Sequence, residues 1–193
     1  MIKPEIRILG FDDSAFTPKS KELVPVIGVI FRGGKFLDGL LKTEVLVDGN
    51  DATEKIIKAV NSSRHKPQLK VIMFDGITVA GFNMIDIKEI YEKTNLPTIV
   101  INRKIPNLEK VERALKKFED FEERWKAVKN AGPIKECYVK DLKKIYFQNI
   151  GINEDEAREV IKLSCTRSYI PEPLRIAHLI ATGIVRGESY GRA

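Results

Sequence analysis

Apolar residues in the first half of the chain fall mostly in short β-like runs. Residues 5–11 (EIRILGF), 23–31 (LVPVIGVIF) and 36–47 (FLDGLLKTEVLV) are rich in strand formers. Asp12-Asp13-Ser14 ends the first run, Pro18 and Lys19 to Lys21 lie in a polar loop, and Arg32-Gly33-Gly34-Lys35 reads as a hairpin connection. Gly39 predicts a bend in the third run. Three strands joined in this way form an antiparallel meander. Asp48-Gly49-Asn50-Asp51 then breaks the pattern. Asp51, with Glu54 three positions on, has the spacing of a capping box, and Ile56, Ile57 and Val60 give the helix behind it one apolar stripe. KVIMFDG (70–76) is nearly all apolar, the pattern of a strand covered on both faces, and PTIVI (97–101) repeats it. An amphipathic helix, IDIKEIYEKT (85–94), lies between them.

Strand, helix, strand, helix, strand in that order requires parallel pairing through right-handed crossovers. The expected fold is α/β: a mixed sheet of three antiparallel strands followed by parallel strands, with helices on both faces. Residues 107–130 read as one helical stretch whose acidic and basic residues are interleaved, a solvated helix laced with i,i+4 pairs. Gly132-Pro133 ends it, and 136–139 (ECYV) and 144–147 (KIYF) are short strands. Asn153, with Glu156 three later, caps a helix over 153–165. Pro171 opens a last helix, through about Val185, with Leu174, Ala177, Ile180, Ala181 and Ile184 as its buried stripe. One domain over 1–193, with a mobile tail at 187–193, accounts for the chain, and no internal repeat is present.

Composition narrows the class. With 43% hydrophobic and 31% charged residues, the chain does not have the make-up of a disordered protein. No apolar stretch approaches the ~18–20 residues a bilayer requires, and the charges of MIKPEIRILGFDD come too early for a signal peptide, so no membrane is implied. Two cysteines, Cys137 and Cys165, make no disulfide framework, which suits a reduced, cytoplasmic protein. The net charge is +6, and most of the excess lies beyond residue 100, the half better suited to a polyanion such as nucleic acid.

Three carboxylates stand where apolar strands end: Asp12, Asp48 and Asp75. In the expected topology those ends share one rim of the sheet, where open α/β proteins place their sites. Two carboxylates ~4 Å apart repel by about 4 kcal/mol at an effective dielectric of ~20, which raises their pKa values or calls for a cation. A hard divalent ion with oxygen ligands, Mg²⁺ or Mn²⁺, answers that need. The alternative is that each aspartate merely caps a turn. Arg103 and Lys104 follow the last parallel strand and would meet a phosphate at the same rim. On the last helix Glu172, Arg175 and His178 recur at three-residue spacing and can share one side. Gly33-Gly34-Lys35 lacks the spacing of a phosphate loop, and Cys165 reads as a core residue.

The segment CTRSYIPEPLRIAHLIA resembles the C-terminal motif of endonuclease V, a Pro-Glu-Pro-x-Arg-x-Ala-His helix that closes the catalytic face. LGFDDS resembles that family's first strand, and KVIMFDG with LPTIVINRK resembles its Asp-Gly strand and the later strand ending in Lys. The whole chain is similar, more closely, to an uncharacterised archaeal family, domain of unknown function ninety-nine, a relative of endonuclease V in the ribonuclease H-like superfamily. The resemblance implies a metal-dependent nuclease. Asp12 and Asp75 match two metal-binding carboxylates, and Asp48, with Asp51 nearby, stands where the third belongs. His178 matches the helix histidine near the metal and Lys104 the basic residue after the later strand, with Arg103 and Arg175 as further phosphate contacts. The family's Pro-Tyr-Ile-Pro wedge is absent, FRGGKFLDG standing in its place, and its Gly-His-Gly is here Gly76-Ile77-Thr78. Recognition of deaminated purines therefore does not carry over. The competing expectation is a non-catalytic nucleic-acid-binding or interaction module on the same fold. The sequence leaves substrate and oligomeric state open.

Overall fold

The computed structural model describes residues 2–140 and 143–189. A seven-stranded mixed sheet forms the centre of the fold. The meander is β1 (Arg7–Asp13), β2 (Leu23–Arg32) and β3 (Phe36–Leu46), with a bulge in the β2–β3 pairing between Ile30 and Phe31, opposite Gly39. β4 (Val71–Asp75) lies parallel to β1, and β7 (Thr98–Asn102) parallel to β4. β9 (Lys144–Ile150) closes antiparallel on β7, and β8 (Lys135–Tyr138) forms the far edge. The mixed sheet expected from the apolar runs is the one observed. A two-strand hairpin, β5 (Thr78–Val79) and β6 (Asn83–Met84), stands apart in what the sequence presents as a glycine-bearing loop.

Helices cover both faces. Leu9, Phe11, Ile72 and Phe74 face α1 (Ala52–Asn61) and α2 (Ile87–Thr94). Ile8, Val71 and Met73 face α5 (Glu154–Ser164) and the start of α6 (Glu172–Arg186). Phe11 and Phe74 stack with ring centroids 5.6 Å apart, worth about 1 kcal/mol beyond burial, and so fix the register of β1 on β4. The first turn of α6 presses on β1: a Cβ on Gly10 would lie 2.6 Å from the Pro173 carbonyl carbon, so only glycine admits this approach. No helix among the described residues is long and apolar enough to cross a membrane.

Three expectations need correction. Asp51 stands at the N-cap of α1, but its side chain makes no cap bond. Its Oδ1 accepts instead from the Leu46 N–H and from Asn83 Nδ2, while Asn83 Oδ1 accepts from Ala52 N. A cap supplied from 31 residues away has no local signal. Residues 107–130 form two helices, α3 (Leu108–Leu115) and α4 (Phe121–Asn130). The break lets Phe118 turn inward, where it lies 4.2 Å from the Arg124 guanidinium. Arg124, on the stretch expected to be solvated, is 4% exposed. It donates to the carbonyls of Asp48, Gly49 and Phe82 and pairs with Asp120. Finally, Ile184 of the expected α6 stripe is 58% exposed and Ile180 only half-buried, while Leu174, Ala177 and Ala181 are buried. Of the expected mobile tail, residues 190–193 lie outside the described residues.

Asn83 is fully buried and ties β3, α1 and β6 together through three side-chain hydrogen bonds, two of them to main chain of β3 and α1. Asn83→Ala leaves a buried N–H and a buried C=O unpaired. It is expected to lower unfolding stability by about 2–4 kcal/mol, read as a shift of the urea midpoint at unchanged slope.

Candidate functional site

Strand alternation decides which carboxylates meet. On β1, Ile8 and Gly10 face α5 and α6, so Asp12 does too, while Asp13 points with Leu9 and Phe11 to the other face. On β4, Val71 and Met73 face α5, and Asp75 follows in phase. The β1–β4 register ends at Phe11 opposite Phe74, so Asp12 and Asp75 come next to each other at the carboxyl-terminal rim. Gly10 holds α6 against β1, and five residues after Pro173, on the second turn of that helix, His178 reaches the same place: its Nδ1 is 2.8 Å from Asp12 Oδ2. Arg103, just past the end of β7, places Nη2 3.0 Å from Asp75 Oδ2.

The electrostatics follow from burial. Desolvation raises the Asp75 pKa above its ordinary value, and the Asp12 charge adds to that, while Arg103 and His178 oppose it. Asp13, behind them on the other face, is pushed up to about 6 by burial first and by Asp12 second. Its carboxylate accepts from the Ala80 N–H.

Asp48 shares the rim but not the cluster. Neighbouring strands lie ~4.8 Å apart, so β3, two places from β1, ends roughly 10 Å to the side. Asp48 takes φ +54°, gives its N–H to Ala80 O and accepts from Phe82 N at Oδ1, with Gly81 passing too close to that oxygen for any Cβ. Asp51 is equally committed, to Leu46 and Asn83. Among the described residues no group of three or more Asp, Glu, His or Cys side chains is arranged to hold a metal. The structure thus unites Asp12, Asp75, His178 and Arg103 and leaves Asp48 and Asp51 apart. Arg175 is bound by the buried Glu172 carboxylate through Nε and Nη2, and Glu172 Oε1 also accepts from the Arg167 N–H. Lys104 is exposed in the loop after β7.

Beside Asp75, Gly76, Ile77, Thr78, Phe82, Met84 and Leu108 of α3 wall a largely enclosed pocket of about 230 Å³. Asn102 and Gln148 bring two carboxamides to it. Asn102 Nδ2 is buried without a hydrogen-bond partner, whereas Gln148 Nε2 donates to Gly132 O at 2.7 Å. Neither residue carries a sequence signal, since each reads as a polar interruption at a strand end.

A mixed sheet covered by helices on both faces is the fold also seen in solved structures of endonuclease V. The chain belongs to the family described as Endonuclease dU, whose model matches residues 4–185. That description replaces the domain-of-unknown-function label anticipated from the sequence. A UPF0215 protein of Methanothermobacter thermautotrophicus is 54% identical over all of this chain and 94% of its own length. A solved structure from Archaeoglobus fulgidus, of a protein of unknown function, superposes with a TM-score of 0.85 at 38% identity, over 94% of this chain and 99% of that one. Endonuclease V of Ciona intestinalis, in complex with a 24mer DNA containing an inosine followed by a ribo-adenosine, superposes with a TM-score of 0.61 at 14% identity, covering 94% of this chain and 87% of that one. At that identity the likeness is one of fold.

A raised carboxyl pKa means that folding favours the protonated form. Asp13 therefore gives a stability that declines as pH climbs from its ordinary value of 3.8 through about 6. Asp13→Asn keeps an acceptor for Ala80 and removes the buried charge. With chelator present, its thermal midpoint is expected to exceed that of the wild type at about pH 8, the gap closing below about pH 4.

Proposed function

We propose that this protein is a metal-dependent nuclease that hydrolyses a phosphodiester bond at a modified position in nucleic acid. The supporting observation is the Asp12–Asp75 pair at the rim of two parallel strands, with His178 on one carboxylate and Arg103 on the other. The donor set suits a hard divalent cation, Mg²⁺ or Mn²⁺: two adjacent carboxylates, one of them desolvated, and no soft ligand beside them. Mg²⁺ in particular is held by one or two carboxylates, with water and substrate phosphate completing its shell, so a third aspartate is not required. Such a cation would lower the pKa of a bound water and offset charge on the phosphate.

The remaining roles belong to the chain. Asp12 orients the His178 ring through Nδ1, holding the imidazole at the rim beside the two carboxylates. Arg103, now on Asp75, can exchange part of that contact for a phosphate oxygen, and Lys104 adds a second positive charge from the same loop. Arg175 sits on Glu172 and sets the α6 first turn rather than meeting phosphate directly. Asp48 secures the loop at 80–82. The pocket beside Asp75 is apolar, with carboxamides at hand, and would take a base turned out of the strand. Reading the family description literally, deoxyuridine is the first such base to test. A second reading, nucleic-acid binding without cleavage, draws on the same ion pairs: Arg103 and His178 already offset the two carboxylates.

The two readings separate in one assay. Single- and double-stranded oligonucleotides bearing deoxyuridine, inosine or no lesion are incubated with Mg²⁺ or Mn²⁺, then with chelator. The nuclease reading expects metal-dependent cutting near the modified base, reduced about 100-fold or more in Asp75→Asn with binding retained. Salt-sensitive binding with no cleavage under any metal would leave the second reading standing. His178→Ala is expected to slow cleavage by about 10- to 100-fold, the usual effect of removing a residue that orients a ligand.

A further inference from the structure

Strand β3 is one edge of the sheet, and its sequence about Thr43 is complementary to itself. Lys42 and Glu44 flank Thr43, Leu41 and Val45 stand two positions away, and Leu40 and Leu46 three. Leu40 is 51% exposed and Leu46 41%, unusual values for leucines on a strand. We propose that two copies of the chain associate through β3, antiparallel about a two-fold axis at Thr43, and continue the sheet from one protomer into its partner.

A two-fold contact demands that residue i meet j while j meets i. About Thr43 each pair the ladder can form is compatible: Lys42 with Glu44 and Leu41 with Val45. Shifting the axis by one residue places Lys42 on Lys42, or Glu44 on Glu44, with like charges directly opposed. Charge thus disfavours both neighbouring registers. The main chain is turned the right way. Leu46 offers its N–H to Asp51 and its C=O to Asn83, away from β2, and the two-residue period of an antiparallel ladder turns Glu44 and Lys42 outward with it. Those residues exchange hydrogen bonds across the axis, and the Lys42–Glu44 ion pair within one strand becomes two between strands. Asp51 and Asn83 already occupy the edge at Leu46, so the ladder is short. The partner strand leaves it after Leu41, where Gly39 and the bulge bend the chain.

A ladder of this length falls short of the roughly 1,200 Å² that a stable interface buries. The rest comes from the same side of the sheet. Leu23 pairs with Leu46 at the strand end and is 55% exposed. Ile184 continues the flank of α6 that Ile176 and Ile180 lay over β2, and is 58% exposed. Together with Leu40 and Leu46 these residues extend the apolar surface beyond the edge strand.

Sedimentation velocity of the whole chain tests the contact without reference to nuclease activity. The wild type is expected to be a dimer. Lys42→Glu and, separately, Glu44→Lys are each expected to weaken association roughly tenfold, because two cross-strand pairs change sign at once. The double exchange Lys42→Glu with Glu44→Lys is expected to restore it, and circular dichroism verifies that all variants are folded. Thr43→Cys reports the register. On the axis, opposed residues of a pair without hydrogen bonds have Cα atoms ~4.5 Å apart, within disulfide range, so oxidation yields a covalent dimer. The native Cys137 and Cys165 are both buried, so the wild type does not cross-link. A monomeric wild type, charge variants that associate like it, a double exchange that stays monomeric, or Thr43→Cys that fails to cross-link would each overturn the proposal.

Discussion

The repulsion between two carboxylates at the ends of neighbouring parallel strands is the constraint around which this molecule is arranged. Asp12 and Asp75 are neighbours because Phe11 stacks on Phe74 one residue earlier, and the backbone offers no alternative once that register is set. Their proximity is unfavourable by itself: burial and mutual charge both act to protonate Asp75. Two distant elements offset this. β7 delivers Arg103, and α6 delivers His178. Removing either partner leaves a partly buried carboxylate less compensated, a penalty that exceeds the value of an exposed ion pair.

Position along α6 is set with equal economy of means. The helix cannot slide outward, because Pro173 rests on the bare backbone of Gly10. Glu172, 3% exposed, fixes the first turn by accepting from Arg175 and from the Arg167 main chain. His178 sits on the second turn, so its reach to Asp12 is determined by contacts five or six residues earlier. Glu172 and Arg175 thus serve the site through packing and direction, and the shared helix side visible in their spacing reflects a structural pairing.

Much of the architecture was legible because it depends on local periodicity. Continuous apolar runs identified β4 and β7 as doubly covered strands, and Asn153 with Glu156 caps α5 as its spacing implied. The carboxylates were harder. Counting strand ends placed Asp12, Asp48 and Asp75 on one rim, which the topology upholds, but a rim is a line roughly 5 Å per strand long, and β2 stands between the strand of Asp48 and the pair. Face matters as much: Asp12 and Asp13 are adjacent in sequence and point to opposite sides of the sheet. Arg124 and Asn83 were illegible for a different reason. Each takes its meaning from carbonyls and carboxylates more than 30 residues away, and nothing within a helical turn of either marks it. An interleaved charge pattern implies a solvated helix only when every charge has a local partner; Arg124 has one in Asp120 and three acceptors elsewhere.

Those distant contacts explain how the loop after β4 is held still. Asp13 binds Ala80 from beneath, Asp48 binds Ala80 and Phe82 from the side, and Arg124 grips Phe82 and the Asp48 turn from α4. Asn83 anchors the same loop to β3 and α1. A loop restrained on so many sides loses little further entropy when something binds against it, so its residues Ile77, Thr78 and Phe82 form a pocket wall fixed in advance. The charged cluster and the cavity are thereby held by different contacts of this fold. Strand register and α6 build the charged cluster on one face, while aspartates and an arginine turned to the other face shape the neighbouring cavity. Gly76 joins the two, following Asp75 in the chain and lining the cavity itself.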